Sequence, residues 1–277
     1  MTNLYKLICT DIDGTLLDHR RELSDLTIET FRSLPEEVHI VLASSRMPSA
    51  MTHLLHQMGR TKGHMICYNG GYIIHYNGPD ERHEAIHSTF IPADVCEGIA
   101  ALTSGTGIHV SLYFEDQWFA PEWDYWSERE ARITKVQPVI TDINEVIETW
   151  KEKKLGGHKV MCMGDEQEIE KMEVQLNEKF GEQIHVYRSR PTYLELAPKA
   201  MSKGSGLELL LKDRIGMAID EVIAFGDNYN DIELLKTAGK GVAVANARPE
   251  VLEVADEVTG ISKEDGVAHT IKKYFVR

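Results

Sequence analysis

The sequence predicts an α/β protein with a doubly wound, mostly parallel sheet and a second, α+β domain inserted into the middle of the chain. Short β-branched runs alternate with amphipathic helical segments over the first 80 residues and again after residue 200. Between these two segments, from about residue 80 to residue 200, strands and helices do not alternate in this regular way. With 277 residues, the chain is long enough for two modest domains, each with its own core.

The N-terminal segment is predicted to alternate strand and helix. The first helical segment begins after Ser24, a residue type typical of a helix N-cap, and places Leu26 and Phe31 on one face. Pro48 suits the first turn of a second helix, which Gly59 would end. The predicted strands are LYKLICT, VHIVLASS and HMICYNGG, and the predicted helices are SDLTIETFRSL and PSAMTHLLHQMG.

The pattern changes near residue 80. The dipeptide Asn77-Gly78 predicts a hairpin turn. The segment HEAIH that follows, from His83 to His87, matches the histidine spacing of zinc proteases, but that motif requires a helix. In a strand, residues i and i+4 lie about 13 Å apart. We therefore expect a strand there and no zinc site.

We predict that residues 84–190 form the inserted domain and that residues 1–83 and 191–277 form the core domain. In the insert, IHVSLYF, QWFA, HKVMCM and IHVYRS are strand-like, and helices are predicted near 93–104, 142–150 and 165–181. The alternation of strands and helices resumes with SKGSGLELLLKDRIG, EVIAFGDN, DIELLKTAG, GVAVAN and GVAHTIKKYF.

Composition narrows the classes of partner. The chain has 30 basic and 44 acidic residues, a net charge of −14, which repels nucleic acid and anionic membrane surfaces. No apolar run approaches the roughly 18 residues of a membrane span, and the N-terminus lacks the apolar region of a signal peptide. The four cysteines are scattered without a CxxC pair, which favours reduced thiols. We expect a cytoplasmic protein.

Polar residues follow the predicted strands at the points where they end. In an open parallel sheet, these carboxyl ends line the ligand crevice. Several carboxylates at one edge raise one another's pKa and require a cation, and oxygen ligands favour Mg²⁺. The residues are Asp11 and Asp13 after the first strand, Ser44, Ser45 and Arg46 after the second, Lys203 at a later helix, and Asp227, Asn230 and Asp231 in IAFGDNYND.

Together these motifs resemble the haloacid dehalogenase superfamily of phosphatases, in its Cof-type subgroup, where a cap domain is inserted after the second motif. DIDGTLLD is similar to the signature DxDGT[LV], and GDNYND to the GDxxND motif. Ser44 matches the serine or threonine of motif two, and Lys203 matches the lysine of motif three. VANARPEVLEVADEVT and DGVAHTI also resemble the subgroup. Where the subgroup commonly has TGR, this chain has SSR, with Ser45 in place of glycine.

The resemblance implies a Rossmann-like core, a mobile cap and a Mg²⁺-dependent phosphatase that acts on small phosphorylated metabolites. Asp11 would attack phosphorus and form an aspartyl-phosphate, while Asp13 would serve as general acid and then as general base. Asp11, the carbonyl of Asp13 and Asp227 would hold Mg²⁺. Ser44 and Lys203 would bind phosphoryl oxygens.

The resemblance also implies a wider set of phosphate- or substrate-binding residues. Gly14 would permit the tight turn between the two acids. Asn69 is either near the substrate and a hinge or only part of a turn. Asn230 and Asp231 would support phosphate, metal-bound water or Lys203. The complete set is Gly14, Ser45, Arg46, Asn69, Asn230 and Asp231.

Two groups of residues in the insert have open roles. Five aromatic residues in YFEDQWFAPEWDYW either build a small core or form a stacking wall for a sugar or heteroaromatic ring. Arg188 and Arg190 either form surface salt bridges or contact the non-phosphate end of a substrate. The aromatic residues are Trp118, Phe119, Trp123, Tyr125 and Trp126.

Two alternative functions have to be weighed. A phosphomutase of the same fold would pass the phosphoryl group back to a sugar rather than to water. A receiver-like module, phosphorylated on aspartate without being an enzyme, would gain nothing from Asp13. The sequence does not choose among hexose phosphates, erythrose 4-phosphate, flavin mononucleotide and pyridoxal phosphate, and it leaves the oligomeric state open.

Overall fold

A computed structural model describes residues 4–275 of the chain. These residues form two compact units. The first contains the chain up to Ser45, Met51–His87 and the chain from Ser202 onward, and the second contains Arg46–Ala50 and Ser88–Met201. Within the described range, no helix has the length and apolar character needed to cross a membrane.

The N-terminal part of the first unit alternates strands with helices, as predicted. Ser24 is the N-cap of the first helix, and its Oγ accepts a hydrogen bond from the backbone N–H of Thr27 at 3.0 Å. The segment predicted as a strand rather than a zinc-binding helix is a strand. The elements are β1 (Leu7–Thr10), α1 (Asp25–Arg32), β2 (His39–Ala43), α2 (Thr52–Gln57), β3 (Gly63–Cys67), β4 (Tyr72–Tyr76) and β5 (Glu84–Ser88).

The second unit is an α+β structure built on a six-stranded sheet. Its core is formed by buried side chains of the sheet and of three helices, among them Ile99, Trp150 and Leu176. The elements are β6 (Ile91–Pro92), α3 (Ala93–Thr103), β7 (His109–Phe114), β8 (Gln117–Ala120), α4 (Tyr125–Thr134), β9 (Val139–Ile140), α5 (Ile143–Lys153), β10 (Gly156–Gly157), β11 (Lys159–Met163), α6 (Glu166–Phe180), β12 (Ile184–Arg190) and β13 (Tyr193–Pro198). The sheet order is β12-β13-β11-β7-β8-β9.

The position of β13 matters for the domain boundaries. The boundaries at 83/84 and 190/191 remain predictions, whereas the compact units of the structure change over between 87 and 88 and between 201 and 202. β13 pairs with both β11 and β12. Because it is hydrogen-bonded on both sides within the second unit, it cannot be separated from that unit's sheet.

The rest of the first unit completes the doubly wound sheet. Its elements are α7 (Lys203–Leu210), β14 (Val222–Gly226), α8 (Ile232–Thr237), β15 (Lys240–Val244), α9 (Pro249–Val254), β16 (Glu257–Thr259) and α10 (Gly266–Phe275). The sheet order is β16-β15-β14-β1-β2-β3-β4-β5. All pairs from β16 to β3 are parallel, and β4 is antiparallel to β3.

This strand order determines where a ligand crevice forms. From β1 the chain builds outward through β2 and β3 on one side and through β14, β15 and β16 on the other. The strand order therefore reverses beside β1, and loops on the two sides diverge at its carboxyl end. The residues that follow β1, β2 and β14 lie at this edge of the sheet.

Candidate active site

Asp11 lies directly after β1, whose four residues are all buried. Its backbone N–H donates to the carbonyl oxygen of Phe225 in β14 at 3.0 Å, which fixes the chain as it leaves the sheet. Asp11 is only 5% exposed. A carboxylate removed from water to this extent requires charged or hydrogen-bonding partners.

Lys203 provides that partner. The lysine is fully buried, and its Nζ lies 2.5 Å from Oδ1 of Asp11 and 2.6 Å from Oδ1 of Asp231. It is the first residue of α7, whose start is fixed because Ser202 and Ser205 exchange side-chain to backbone hydrogen bonds. Burial alone would lower the pKa of Lys203, but the two carboxylates outweigh burial and raise it. The ammonium group therefore stays charged between two acids.

Asp227 follows β14 and contacts the turn after β1. Thr15 Oγ1 donates to Oδ1 of Asp227 at 2.7 Å. Gly14 has a φ of +89°, and a Cβ there would lie 2.4 Å from Oδ2 of Asp227. Glycine is required for two reasons, because the backbone conformation is left-handed and the carboxylate occupies the space of a side chain.

Three carboxylates converge at this edge of the sheet. Oxygens of Asp11, Asp227 and Asp231 all lie within 4.8 Å of one another. Burial raises the pKa of Asp11 well above its usual range, Lys203 lowers it, and the other two acids raise it further. Burial and Asp231 raise the pKa of Asp227 to about 6. With one ammonium against three acids, the cluster has the charge and the all-oxygen donors to hold a divalent cation.

Asp231 differs from the other two acids because both of its oxygens are engaged within the protein. Oδ1 accepts from Lys203, and Oδ2 accepts from the backbone N–H groups of Asp227 and Asn228, each at 3.0 Å. Asp231 is fully buried. Its contacts hold the lysine and the loop after β14 in place, which is one of the roles that the sequence left open for it.

The carboxylate of Asp13 lies outside this cluster and pairs with Arg21. The side chain is half-buried, and its Oδ1 accepts from Nη2 of Arg21. Sequence reasoning did not single out Arg21. The sequence feature that could have indicated this loop is Asp18, a residue type that often forms turns. Its Oδ1 accepts hydrogen bonds from the backbone N–H groups of Arg20 and Glu22 and so shapes the loop.

A third contact joins the residues after β2 and β3 to the loop before α8. The backbone N–H of Ser44 donates to Ile66, and the carbonyl of Ser44 accepts from Asn69 at 3.0 Å. Asn230 Nδ2 donates to Oδ1 of Asn69 at 2.9 Å. Asn69 is therefore more than a turn residue, because its side chain links two motifs that are distant in sequence.

The SSR segment is divided between the two units. Ser45 is half-buried and ends the first continuous segment of the first unit, whereas Arg46 belongs to the second. Nη1 of Arg46 donates to the carbonyl of Ala50 at 3.1 Å. Contact of Ser45 and Arg46 with phosphate or substrate stays a prediction.

A family model described as haloacid dehalogenase-like hydrolase matches residues 8–271, nearly the whole chain. The chain belongs to this family. A solved haloacid dehalogenase-like hydrolase from Bacteroides thetaiotaomicron is 31% identical, with a TM-score of 0.86, and the alignment covers 98% of this chain and 100% of that one.

Curated relatives match over the same length. The protein named 5-amino-6-(5-phospho-D-ribitylamino)uracil phosphatase YitU, from Bacillus subtilis, is 27% identical over 97% of each chain. The HMP-PP phosphatase of Serratia proteamaculans is 27% identical over 98% of this chain and 96% of its own. The predictions of the family, of the α/β fold and of phosphatase chemistry are confirmed, and an enzyme of this family is not a receiver-like module.

Proposed function

We propose that this member of the family hydrolyses small phosphorylated metabolites with Mg²⁺ and a phosphorylated Asp11 intermediate. One observation carries the assignment of the nucleophile. Asp11 is buried at the carboxyl end of the central strand, within the acidic cluster, and its Oδ1 is held 2.5 Å from the buried ammonium of Lys203. This contact orients one oxygen, and the charge of Lys203 favours the ionised carboxylate against burial, which raises the pKa of Asp11.

Asp11 and Asp227 are the acids best suited to hold Mg²⁺, together with the carbonyl of Asp13. Asp231 is less suited, because its two oxygens already accept hydrogen bonds from Lys203 and from two backbone N–H groups. Carboxylate and carbonyl oxygens without nitrogen or sulfur favour a hard cation. When bound, Mg²⁺ would screen the negative charges of the nucleophile and the phosphoryl group.

The reaction proceeds in two displacements. The carboxylate of Asp11 attacks phosphorus, the bond from phosphorus to the leaving oxygen breaks, and Asp13 donates a proton to that oxygen. Asp13 then accepts a proton from water as the water attacks phosphorus, and the Asp11 carboxylate departs with inorganic phosphate released. Arg21 would hold the Asp13 carboxyl in position through the hydrogen bond that its Nη2 donates to Oδ1.

Phosphoryl oxygens would be bound by Ser44 and Lys203. Ser44 lies at the end of β2, the strand next to β1 in the sheet. Asn69 and Asn230, which are hydrogen-bonded to each other, would complete the polar surroundings. These neutral and positive donors would provide hydrogen bonds to an anionic substrate within a strongly acidic chain.

The class of substrate is supported by the relatives. By name, one acts on a phosphorylated uracil derivative and the other on HMP-PP. We propose a small phosphorylated metabolite of comparable size, a cytoplasmic location where such compounds occur, and a cap role for the inserted residues 84–190 in choosing among them.

The nucleophile is tested by Asp11→Asn, which removes a charge at nearly constant volume. We expect activity to fall to less than about one per cent on a panel of metabolite phosphates with Mg²⁺. Wild-type protein, quenched during turnover, should gain the mass of one phosphoryl group, and the variant should not. A variant with substantial remaining activity would rule out the covalent route through Asp11.

The products of the reaction distinguish a phosphomutase from a phosphatase. A phosphatase releases inorganic phosphate in step with substrate loss, whereas a mutase converts one sugar phosphate to an isomer without releasing phosphate. Both quantities can be followed in one reaction with a hexose phosphate.

A further inference from the structure

The second unit carries two guanidinium groups against one buried aromatic ring. Cζ of Arg129, on α4, lies 5.1 Å from the ring centroid of Tyr193, and Cζ of Arg190 lies 5.5 Å from it. Arg190 is the register partner of Tyr193 across the β12–β13 pair. The tyrosine is 2% exposed, whereas both arginines are half-buried. Each contact is a cation–π interaction, and together they bring two positive charges to one ring.

These two arginines lack the partners that a nearby arginine has. Arg188, two residues before Arg190 on the same strand, lies 3.4 Å from Glu173 and 3.9 Å from Glu166. Among residues 4–275, no carboxylate forms an ion pair with Arg129 or Arg190.

The hydroxyl group of Tyr193 is a further donor in the same place. It is buried and has no hydrogen-bond partner in the described part of the chain. Burial and the charge of Glu130 raise the pKa of Tyr193 to about 12, although the two arginines oppose that rise. The hydroxyl therefore keeps its proton at neutral pH, and a buried donor without an acceptor is costly.

Aromatic side chains adjoin this group and reach solvent. Trp126 packs edge-on against Tyr193, with centroids 5.9 Å apart, and Tyr125 packs against Trp126 at 5.0 Å. Tyr125 is 63% exposed and Trp123, two residues before it, is 50% exposed. Trp118, in contrast, is buried. The aromatic cluster of the sequence thus divides into a core part and an exposed part.

We propose that this aromatic–arginine surface, formed by Tyr125, Trp126, Arg129 and Arg190 around the buried ring of Tyr193, binds a small planar anion. The ligand is an aromatic or heteroaromatic ring that carries a carboxylate or phosphate group. The ring stacks on the exposed aromatic side chains, and the anionic group pairs with the two guanidinium groups.

The number of charges favours a small ligand over a polyanion. The surface carries two positive charges, those of Arg129 and Arg190. Two guanidinium groups suit a single carboxylate or phosphate, whereas a nucleic acid backbone requires a run of basic residues. The ligand is either the leaving group of the phosphorylated substrate, an assignment that rests on the proposed function, or a separate effector of the same chemistry.

Direct binding tests the ligand class without using catalysis. The probe is orotate, a planar pyrimidine carboxylate, titrated into the intact Asp11→Asn protein and followed by tryptophan fluorescence. Uracil, the same ring without the carboxylate, is the matched ligand control. We expect orotate to bind at least about tenfold more tightly than uracil, and Arg129→Gln or Arg190→Gln to weaken orotate binding about tenfold.

Arg188→Gln is the matched protein control, because that arginine already has carboxylate partners. Orotate binding should change less than about twofold in this variant. Arg190→Lys keeps the positive charge but loses the planar guanidinium group. Its affinity for orotate should lie between those of wild type and Arg190→Gln. Near-ultraviolet circular dichroism identifies any variant that fails to fold. Absence of orotate binding, or equal losses in the Arg188 and Arg190 variants, would overturn the proposal.

A kinetic arm separates the two sources of ligand. Competition between orotate and p-nitrophenyl phosphate in wild-type protein would assign the surface to the leaving group, whereas binding without competition would assign it to an effector. Each of these results supports a planar anion. If no phosphate ester were hydrolysed at all, the proposed function would fail while the binding result would still stand.

Discussion

At the scale of single residues, the acidic cluster depends on Gly14. An alanine there would place its Cβ 2.4 Å from Asp227 Oδ2 and would also require a left-handed backbone. We expect Gly14→Ala to reduce activity by at least about tenfold and to raise the Mg²⁺ concentration needed for half-maximal activity, because Asp227 must move. Steady-state rates over a Mg²⁺ titration measure both effects.

Gly216→Ala is the control for backbone strain alone. Gly216 has a φ of +71°, and no atom lies within 4 Å of the point that an added Cβ would occupy, so only the conformational cost of about 1–2 kcal/mol remains. This variant should lose stability in urea unfolding and keep its Mg²⁺ dependence. If both alanine variants behaved alike, contact between Gly14 and Asp227 would not matter for the metal site.

Asp13 is the second residue whose role can be isolated. Asp13→Ala keeps the backbone carbonyl but removes the proton donor and base, each worth ~10²–10⁴-fold. Turnover of alkyl phosphates should collapse, while p-nitrophenyl phosphate, whose leaving group needs little protonation, should lose less. The phosphorylated protein should then accumulate and be visible by intact mass. Asp80→Ala, at an exposed acid, is the control. Equal small losses on both substrates, without a trapped phosphoprotein, would make Asp13 structural.

At the scale of elements, His158 connects three parts of the second unit. It precedes β11 and is fully buried. Its Nδ1 accepts a hydrogen bond from the backbone N–H of Glu115. The proton of the neutral ring is therefore on Nε2, which donates to Oγ of Ser88 at 2.9 Å. Burial lowers the pKa of His158 to about 3. The neutral ring stabilises the fold fully above pH ~6.5, and this stability is lost as the pH falls toward 3, because the unfolded chain binds the proton first.

This linkage predicts that the unfolding free energies of wild type and His158→Gln depend differently on pH. Between pH 7 and pH 5, wild type should lose roughly 2 kcal/mol of unfolding free energy more than His158→Gln, which has no ring to protonate. Urea unfolding at the two pH values, followed by tryptophan fluorescence, measures it. His269→Gln, at an exposed position, should show the wild-type slope. Parallel pH profiles for wild type and His158→Gln would contradict the prediction.

The helices and strands show which features of the structure the sequence could predict and which it could not. Strands and helices with clear periodicity were predicted, as were the motif residues at strand ends. Helix α4 was missed because its aromatic run hides its start, although Asp124 and Ser127 form a capping box there. β13 was missed although it forms a hairpin with β12, because its other neighbour in the sheet, β11, is distant in sequence. Arg21 was missed because its contact with Asp13 depends on loop geometry.

At the scale of the whole molecule, a strongly acidic chain concentrates three carboxylates at one sheet edge, and this arrangement predicts dependence on a cation. Chelation with EDTA should abolish activity, and Mg²⁺ should restore it. Ca²⁺ should restore it poorly, because it prefers more ligands at longer distances. Restoration by Zn²⁺ alone, lost again in His83→Ala, would instead support the histidine motif in β5.

Because all three acids belong to the first unit, cation binding should also be visible as stability. A cation at about 100 times its dissociation constant adds roughly 2.7 kcal/mol to the folded state that binds it. Mg²⁺ should therefore raise the midpoint of thermal unfolding in wild type and leave it unchanged in Asp227→Asn. Asp165→Asn, which alters an acid that caps α6 in the second unit, should keep the full shift. If Mg²⁺ stabilised Asp227→Asn as much as wild type, the ion would bind outside the acidic cluster.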